Sequence, residues 1–410
     1  MCPSVASRVD GSAHGPLSKL QSDNPKAEVN TMNFEPTEEQ RAIRDLAASF
    51  AADEMAPHAA RWDAELIFPR DTIVQTAALG FGGLYVKEDV GGSNLSRLDS
   101  VLIFEELSKA CPSTAAFISI HNMAAWMIDS YGTQQQREKF LPDMTAMNKI
   151  ASYCLTEPGS GSDAAALRTR AVQDGDHYVL NGSKAFISGA GANDLYLTMV
   201  RTGDDTPNGI SCIMIEDGTP GLSFGANEKK LGWHSQPTAQ VNFDNCRVPA
   251  ENLIGGEGNG FRIAMAGLDG GRLNIAACSI GGAQACIDYA IDYMKTRKAF
   301  GKAICEFQAL QFRLADMQTE LESARILLYA AAQKVNDKHP QATRFAAMAK
   351  RKATDTGFQV VNDALQMFGG YGYLQDYPVE RYLRDLRVHQ ILEGTNEIMR
   401  LIISRDMLRQ

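Results

Sequence analysis

The chain lacks the features of a membrane-spanning, disulfide-built or nucleic-acid-binding protein. No apolar run reaches the roughly 18 to 20 residues that a bilayer-crossing helix needs. Eight cysteines (Cys2, Cys111, Cys154, Cys212, Cys246, Cys278, Cys286 and Cys305) are scattered, and none forms a CxxC pair. The seven histidines are equally dispersed, so no zinc spacing exists, no metal centre is expected, and the thiols are expected to stay reduced. Basic residues are in deficit: 40 Lys and Arg against 49 Asp and Glu leave a net charge of −9. That sign argues against nucleic acid, where Lys and Arg dominate affinity. The phosphate loop GxxxxGK[ST] is absent. Gly256-Glu257-Gly258-Asn259-Gly260 is glycine-rich but has no Rossmann context, so any dinucleotide would be held without that fold.

Residues 1–33 lack apolar periodicity and a secretory h-region. They carry one arginine, Arg8, beside Asp10, Asp23 and Glu28, which makes a poor transit peptide. A disordered extension is expected there, with folding from near Met32-Asn33-Phe34. A bacterial cytoplasm is favoured, with a mitochondrial matrix as the eukaryotic counterpart.

What remains is a soluble, globular composition, 44% apolar and 22% charged, in a chain of 410 residues, long enough for two or three domains. Residues 34–151 read as helical. Thr37 with Gln40 forms a capping box before Ile43, Leu46, Ala47 and Phe50, and Pro57 is predicted to close that helix. Leu102–Leu107 and Met123–Ile128 read as buried helices. Residues 152–259 read as a β barrel or sandwich. Tyr178–Leu180, a type I′ turn at Asn181-Gly182 and Lys184–Ser188 form a predicted hairpin. Leu195–Val200, Ile210–Ile215 and Gln240–Phe243 add strands, and Thr206–Gly209 is a turn. Residues 260–410 return to a helical period. Ile280, Ile287 and Ile291, then Leu314, Met317, Leu321, Ala324 and Leu328, mark core stripes of a helix bundle.

Glu393 is the sharpest local signal. It lies in Ile391-Leu392-Glu393-Gly394-Thr395-Asn396-Glu397, between one stripe (Val379, Tyr382, Leu383, Leu386) and another (Ile398, Leu401, Ile402). A carboxylate on a short connection between packed helices suits a general base, although a solvated loop Glu fits the local pattern too. Tyr153–Asp163 is dense in glycine and hydroxyls, as the polar edge of a heterocycle or a phosphate requires, or an ordinary turn. Arg297 follows a long helix, where it would clamp a diphosphate or offset the helix dipole. Gln366–Tyr373 reads as a glycine-capped helix end whose bare backbone would also serve a nucleotide.

Three of these segments together resemble the acyl-CoA dehydrogenase family over about residues 34 to 410. SYCLTEPGSGSDA (152–164) is similar to its first signature, QMFGGYGYLQDYPVERYLRD (366–385) to its second, and ILEGT (391–395) to the segment of its catalytic base. Within the family, HNMAAWMIDSYG, LNGSKAFISGAG, GWHSQPT and VHQILEGTNEIMR most resemble the isobutyryl-CoA-specific members. The resemblance implies a helical N-terminal domain, a middle β domain and a C-terminal four-helix bundle, assembled as a homotetramer. It implies α,β-dehydrogenation of a short or branched acyl-CoA, as in valine catabolism, with FAD as cofactor and electron-transfer flavoprotein as acceptor.

It further implies that Glu393 is the base, because isovaleryl-type members carry theirs where this chain has Gly271. Tyr153, Leu155, Thr156, Gly161 and Ser162 would line the flavin, with Phe186, Ile187 and Ser188 along its ring; many relatives have Trp in place of Phe186. Arg297, Phe300, Phe307 and Gln308 would serve the FAD of a neighbouring subunit. Gln366, Met367, Phe368, Gly369 and Gly370 would touch its adenosine diphosphate part, near Thr395 and Glu397. Ser162, Asp269, Arg272, Glu393, Gly394 and Arg405 would contact acyl-CoA. The alternatives are a butyryl- or 2-methylbutyryl-CoA dehydrogenase, an acyl-CoA oxidase, whose chains are usually much longer, and a DNA-associated flavoprotein, which needs a basic face.

Overall fold

The computed structural model describes residues 36–409; the extension expected at 1–33 and the expected start at 32–34 lie outside them. The chain runs from helices through a sheet and back to helices. The first helices are α1 (Glu38–Phe50), α2 (Ala56–Ala64), α3 (Arg70–Gln75), α4 (Arg97–Ala110), α5 (Pro112–Tyr131) and α6 (Gln134–Thr145). α1 opens on the predicted reciprocal cap between Thr37 and Gln40. Pro57 does not close that helix. A π-helical turn at Ala51–Met55 carries the chain on, and Pro57 sits in the first turn of α2, where its missing N–H has no intrahelical partner to lose. α5 is buried on nearly every face, so it lies inside the molecule.

The strands are β1 (Ala151–Cys154), β2 (Arg170–Asp174), β3 (His177–Ser188), β4 (Leu195–Arg201), β5 (Ile210–Glu216), β6 (Leu222–Phe224), β7 (Thr238–Pro249) and β8 (Leu253–Ile254). They form one sheet in the order β6-β7-β3-β2-β4-β5-β8, with β1 parallel to β4. The expected hairpin turn at Asn181-Gly182 is instead a register shift inside the continuous strand β3. Gly182 is required there: its φ is +143°, and a Cβ would stand 2.7 Å from the Thr169 Cα. The turn that joins β2 to β3 falls at Gly175 (φ +63°).

Strand β4 shows how the sheet is sandwiched. Leu195, Leu197 and Met199 pack with Met123 and Met127 of α5 and with residues 263–268 farther on. Tyr196 and Val200 face the other way, into a cluster with Ile213, Ile215, Val241, Phe243 and Val248. Period-two alternation with both faces apolar is why every residue of β4 is buried.

The 37-residue helix α7 (Gly260–Thr296) is the axis of the fold, roughly 55 Å long at 1.5 Å per residue. It touches α4, α5 and β5. After a small hairpin, β9 (Lys298–Ala299) with β10 (Lys302–Ala303), come α8 (Gln308–Asn336), α9 (Ala342–Phe368), α10 (Val379–Arg387) and α11 (Asn396–Leu408). Helices α7, α8 and α9 pack on one another, and α11 lies on α9. The predicted stripe is the one that packs: Met317, Leu321, Ala324 and Leu328 are buried with Ile280 and Ile287.

Candidate active site

Glu393 stands on the short connection between α10 and α11. Its backbone is left-handed (φ +53°), as is that of Gly394 (φ +92°). A non-glycine residue in that region is uncommon and is held there by its surroundings. Four hydrogen bonds hold this connection. Arg272 Nε donates to the Glu393 carbonyl at 3.2 Å. Lys350 Nζ donates to the Gly394 carbonyl at 2.8 Å and to Asn396 Oδ1 at 2.9 Å. Thr395 caps α11 by accepting from the Ile398 N–H.

The residue as a whole keeps some exposed surface, but its Oε2 is buried without a hydrogen-bond partner. Burial pushes the carboxyl up to about 7, against the opposing pull of the Arg272 and Lys350 cations. A Cβ at Gly271 would collide with this carboxyl group, so a side chain at 271 and the Glu393 carboxyl compete for one place. The Glu393 N–H has no hydrogen-bond partner among the described residues.

Arg272 also pairs with Asp269 at 2.7 Å, and Asp269 accepts from Thr343 Oγ1 at 2.6 Å, which ties this face of α7 to the start of α9. Tyr153, at the end of β1, is within the electrostatic reach of Glu393; its hydroxyl is buried without a partner, and burial holds its pKa well above the usual tyrosine value. Beyond it, Leu155 is buried, Thr156 half-buried, and Gly161 and Ser162 exposed.

A buried ion pair braces this loop. Glu157 accepts from Lys184 Nζ at 2.7 Å and from the N–H groups of Arg168 and Thr169 at 2.6 and 2.9 Å. Burial alone would raise Glu157, but the ammonium and these donors hold it below the usual carboxylate range. Lys184 also reaches the Leu155 carbonyl at 3.2 Å, and the Ala185 N–H reaches that of Thr156 at 2.8 Å. The next residue, Phe186, has a left-handed backbone (φ +58°) and is 67% exposed, a flat apolar ring presented outward beside buried Ile187 and half-buried Ser188.

A second group of expected residues lies elsewhere. Arg297, Gln366, Met367, Phe368, Gly369 and Gly370 line one cavity of about 560 Å³ with Tyr371. The Arg297 guanidinium sits 5.3 Å from the Tyr371 ring centroid. Gly369 and Gly370 have nothing within 4 Å of a built Cβ, so their backbone is bare. Phe300 is 96% exposed in the β9–β10 hairpin and meets half-buried Phe307, next to exposed Gln308. Arg272 on α7 and Arg297 at its C-cap are 25 positions apart, about 37 Å along the helix axis. Glu397 is exposed in the first turn of α11, and Arg405 is exposed near its far end, about 15 Å along from Thr395.

A larger groove, about 690 Å³ between α8 and α9, is lined by apolar surface and by charged residues that include Arg313, Asp316, Arg351 and Asp355. It holds none of the expected site residues, so volume alone does not locate the chemistry.

Sequence reasoning missed Lys350, Asn396 and the Glu157–Lys184 pair. Lys350 carried a signal: it falls on the stripe Ala346, Ala349, Ala353, Gly357 of α9, a lone cation among buried small residues. Glu157 carried one too, as the one carboxylate between Tyr153 and Ser162.

Known proteins resemble this chain in both sequence and fold. Models of the acyl-CoA dehydrogenase N-terminal, middle and C-terminal domains match residues 37–148, 152–246 and 258–408. The chain is 59% identical over 372 residues to a mitochondrial isobutyryl-CoA dehydrogenase of Dictyostelium discoideum, covering 90% of this chain and 89% of the relative. It is 53% identical over 413 residues to the corresponding Bos taurus protein, covering 100% and 99%. The butyryl-CoA dehydrogenase structure of Megasphaera elsdenii superposes with a TM-score of 0.90 at 40% identity, over 92% of this chain and 100% of that one.

Proposed function

The chain belongs to the acyl-CoA dehydrogenase family, and from that premise we propose that it dehydrogenates isobutyryl-CoA to the 2-enoyl thioester, with Glu393 as the base. The observation that carries this reading is a buried, unpartnered carboxyl oxygen at the end of a strained connection, titrating near neutrality. A base works best with a pKa near the working pH, and burial has moved this one there. Preference for isobutyryl over butyryl or 2-methylbutyryl rests on the two relatives of that name.

FAD is the cofactor, and the residues fit it. Phe186 offers an exposed ring face, Tyr153 an unpartnered hydroxyl, and Gly369-Gly370 bare backbone beside the Arg297 guanidinium. Such a fork suits a diphosphate. Because Arg272 and Arg297 stand about 37 Å apart along the axis of α7, the Arg297 group is assigned to the FAD of a neighbouring subunit, in a homotetramer. Bound FAD supplies the acceptor for the β hydrogen as hydride.

The chain's own residues do the rest. Glu393 takes the proton from the α carbon. Its free N–H donates to the thioester oxygen, where negative charge gathers as that proton leaves. Arg272 and Lys350 hold the loop so that both groups point inward. Electron-transfer flavoprotein is the proposed acceptor. The seven described cysteines are free thiols, as a reducing compartment, cytoplasm or matrix, would leave them. The deciding experiment adds isobutyryl-CoA to the yellow holoenzyme without oxygen. Rapid bleaching of the flavin band is expected; no bleaching with any acyl-CoA sinks the reading. Oxygen uptake matching turnover would favour an oxidase instead.

Lys350 is a positioning residue. Replacing it with Met removes a cation that favours ionised Glu393, so the rise of kcat with pH should move to higher pH. A purely structural role would lower kcat at every pH without moving the profile.

A further inference from the structure

Arg97 is the first residue of α4, after its cap Ser96. It is 8% exposed. Its guanidinium lies 3.7 Å from the Tyr85 ring centroid and 4.9 Å from that of Trp126. Among the described residues it makes no hydrogen bond or ion pair, so two aromatic faces are its main partners. A second donor shares its surroundings. Asn274 accepts from the Tyr85 hydroxyl at 2.7 Å, while its Nδ2 is buried without a partner.

The guanidinium lies on the same stretch of α7 as the base. A Cβ at Gly270 would collide with Arg97 Nη1, as one at Gly271 would with the Glu393 carboxyl, each under 3.0 Å. Neighbouring Cβ positions on a helix are roughly 5 Å apart, so guanidinium and carboxyl are at most about 11 Å apart. The base needs roughly 3 Å to its carbon, and van der Waals contact with the guanidinium takes roughly 3.5–4 Å. Along the line between them, at most about 4 Å then remains for the acyl group beyond its α carbon.

We propose that Arg97, clamped between Tyr85 and Trp126, is the stop of the acyl pocket and confines the substrate to short or branched acyl thioesters. It does so twice over. The stacked plate is a steric wall, and a longer apolar tail that pressed past it would strip water from a cation and from Asn274 Nδ2 without replacing their hydrogen bonds. This rests on the acyl-CoA dehydrogenase reading above.

The test compares FAD-loaded wild type with Arg97→Ala on isobutyryl-, hexanoyl- and octanoyl-CoA. The ratio of kcat/KM for hexanoyl- over isobutyryl-CoA should rise at least about tenfold, the scale of one methylene's discrimination. A parallel fall on all three substrates, or an unchanged ratio, overturns the proposal. Should Arg97→Ala not hold FAD, Arg97→Met keeps the packing volume; a smaller rise in the same ratio is then expected, and no rise overturns it. If wild type itself reduces with no acyl-CoA, the proposed activity fails and the Arg97 proposal with it; normal reduction with an unchanged chain-length ratio overturns the Arg97 proposal alone.

Discussion

Glu393→Gln is expected to lower isobutyryl-CoA turnover by at least ~10² to 10⁴-fold, the usual contribution of a placed proton acceptor. Glutamine keeps the volume and the left-handed connection but cannot take a proton at neutral pH. FAD content and acyl-CoA affinity should therefore persist, so the loss appears in kcat rather than KM. Comparable rates for variant and wild type in a dye-reduction assay would refute Glu393 as the base. In the wild type, kcat/KM should climb with pH through about 7, because only the ionised carboxylate accepts the proton.

The same carboxyl group couples stability to pH. Burial raises its pKa from 4.5 to about 7, so the folded chain binds this proton more tightly than the unfolded one. The contribution is present below pH 4.5 and is lost as pH rises toward 7. Glutamine carries no such penalty. Glu393→Gln should thus be more stable than wild type at pH 8, by on the order of 1–3 kcal/mol, with the gap closing at pH 5. Urea titrations at the two pH values measure it.

The second large effect is on the loop that begins at Tyr153. Glu157→Ala strands the fully buried Lys184 ammonium and leaves two backbone N–H groups without acceptors. Breaking one side of a buried pair typically costs ~3–5 kcal/mol. The loop that carries Thr156 and Ser162 should lose its brace, and FAD should be retained poorly through purification. Glu157→Leu combined with Lys184→Met separates the causes: removing both charges should recover most of the stability. A Glu157→Ala protein as stable and as yellow as wild type would show that the pair braces nothing.

Much of this was legible along the chain. The cap at Thr37, the stripe of α8 and the place of Glu393 between two helices all depend on residues near one another along the chain. Local pattern misled where a nearby rule met a distant neighbour. Asn181-Gly182 has the composition of a hairpin turn, yet Gly182 is there because the Thr169 backbone presses against it. Pro57 has the form of a helix stop, yet a π-turn moves it to a helix start.

By itself the sequence determined the order helix, sheet, helix, because hydrophobic periodicity is a short-range signal set by which faces must be buried. It also placed a carboxylate on a short connection. Only the tertiary structure decided that this carboxylate is dry, near neutral and steered by Lys350 and Arg272. A pKa and an unpartnered donor depend on what other segments bring near or keep away, and spacing along one strand of chain does not encode that distance.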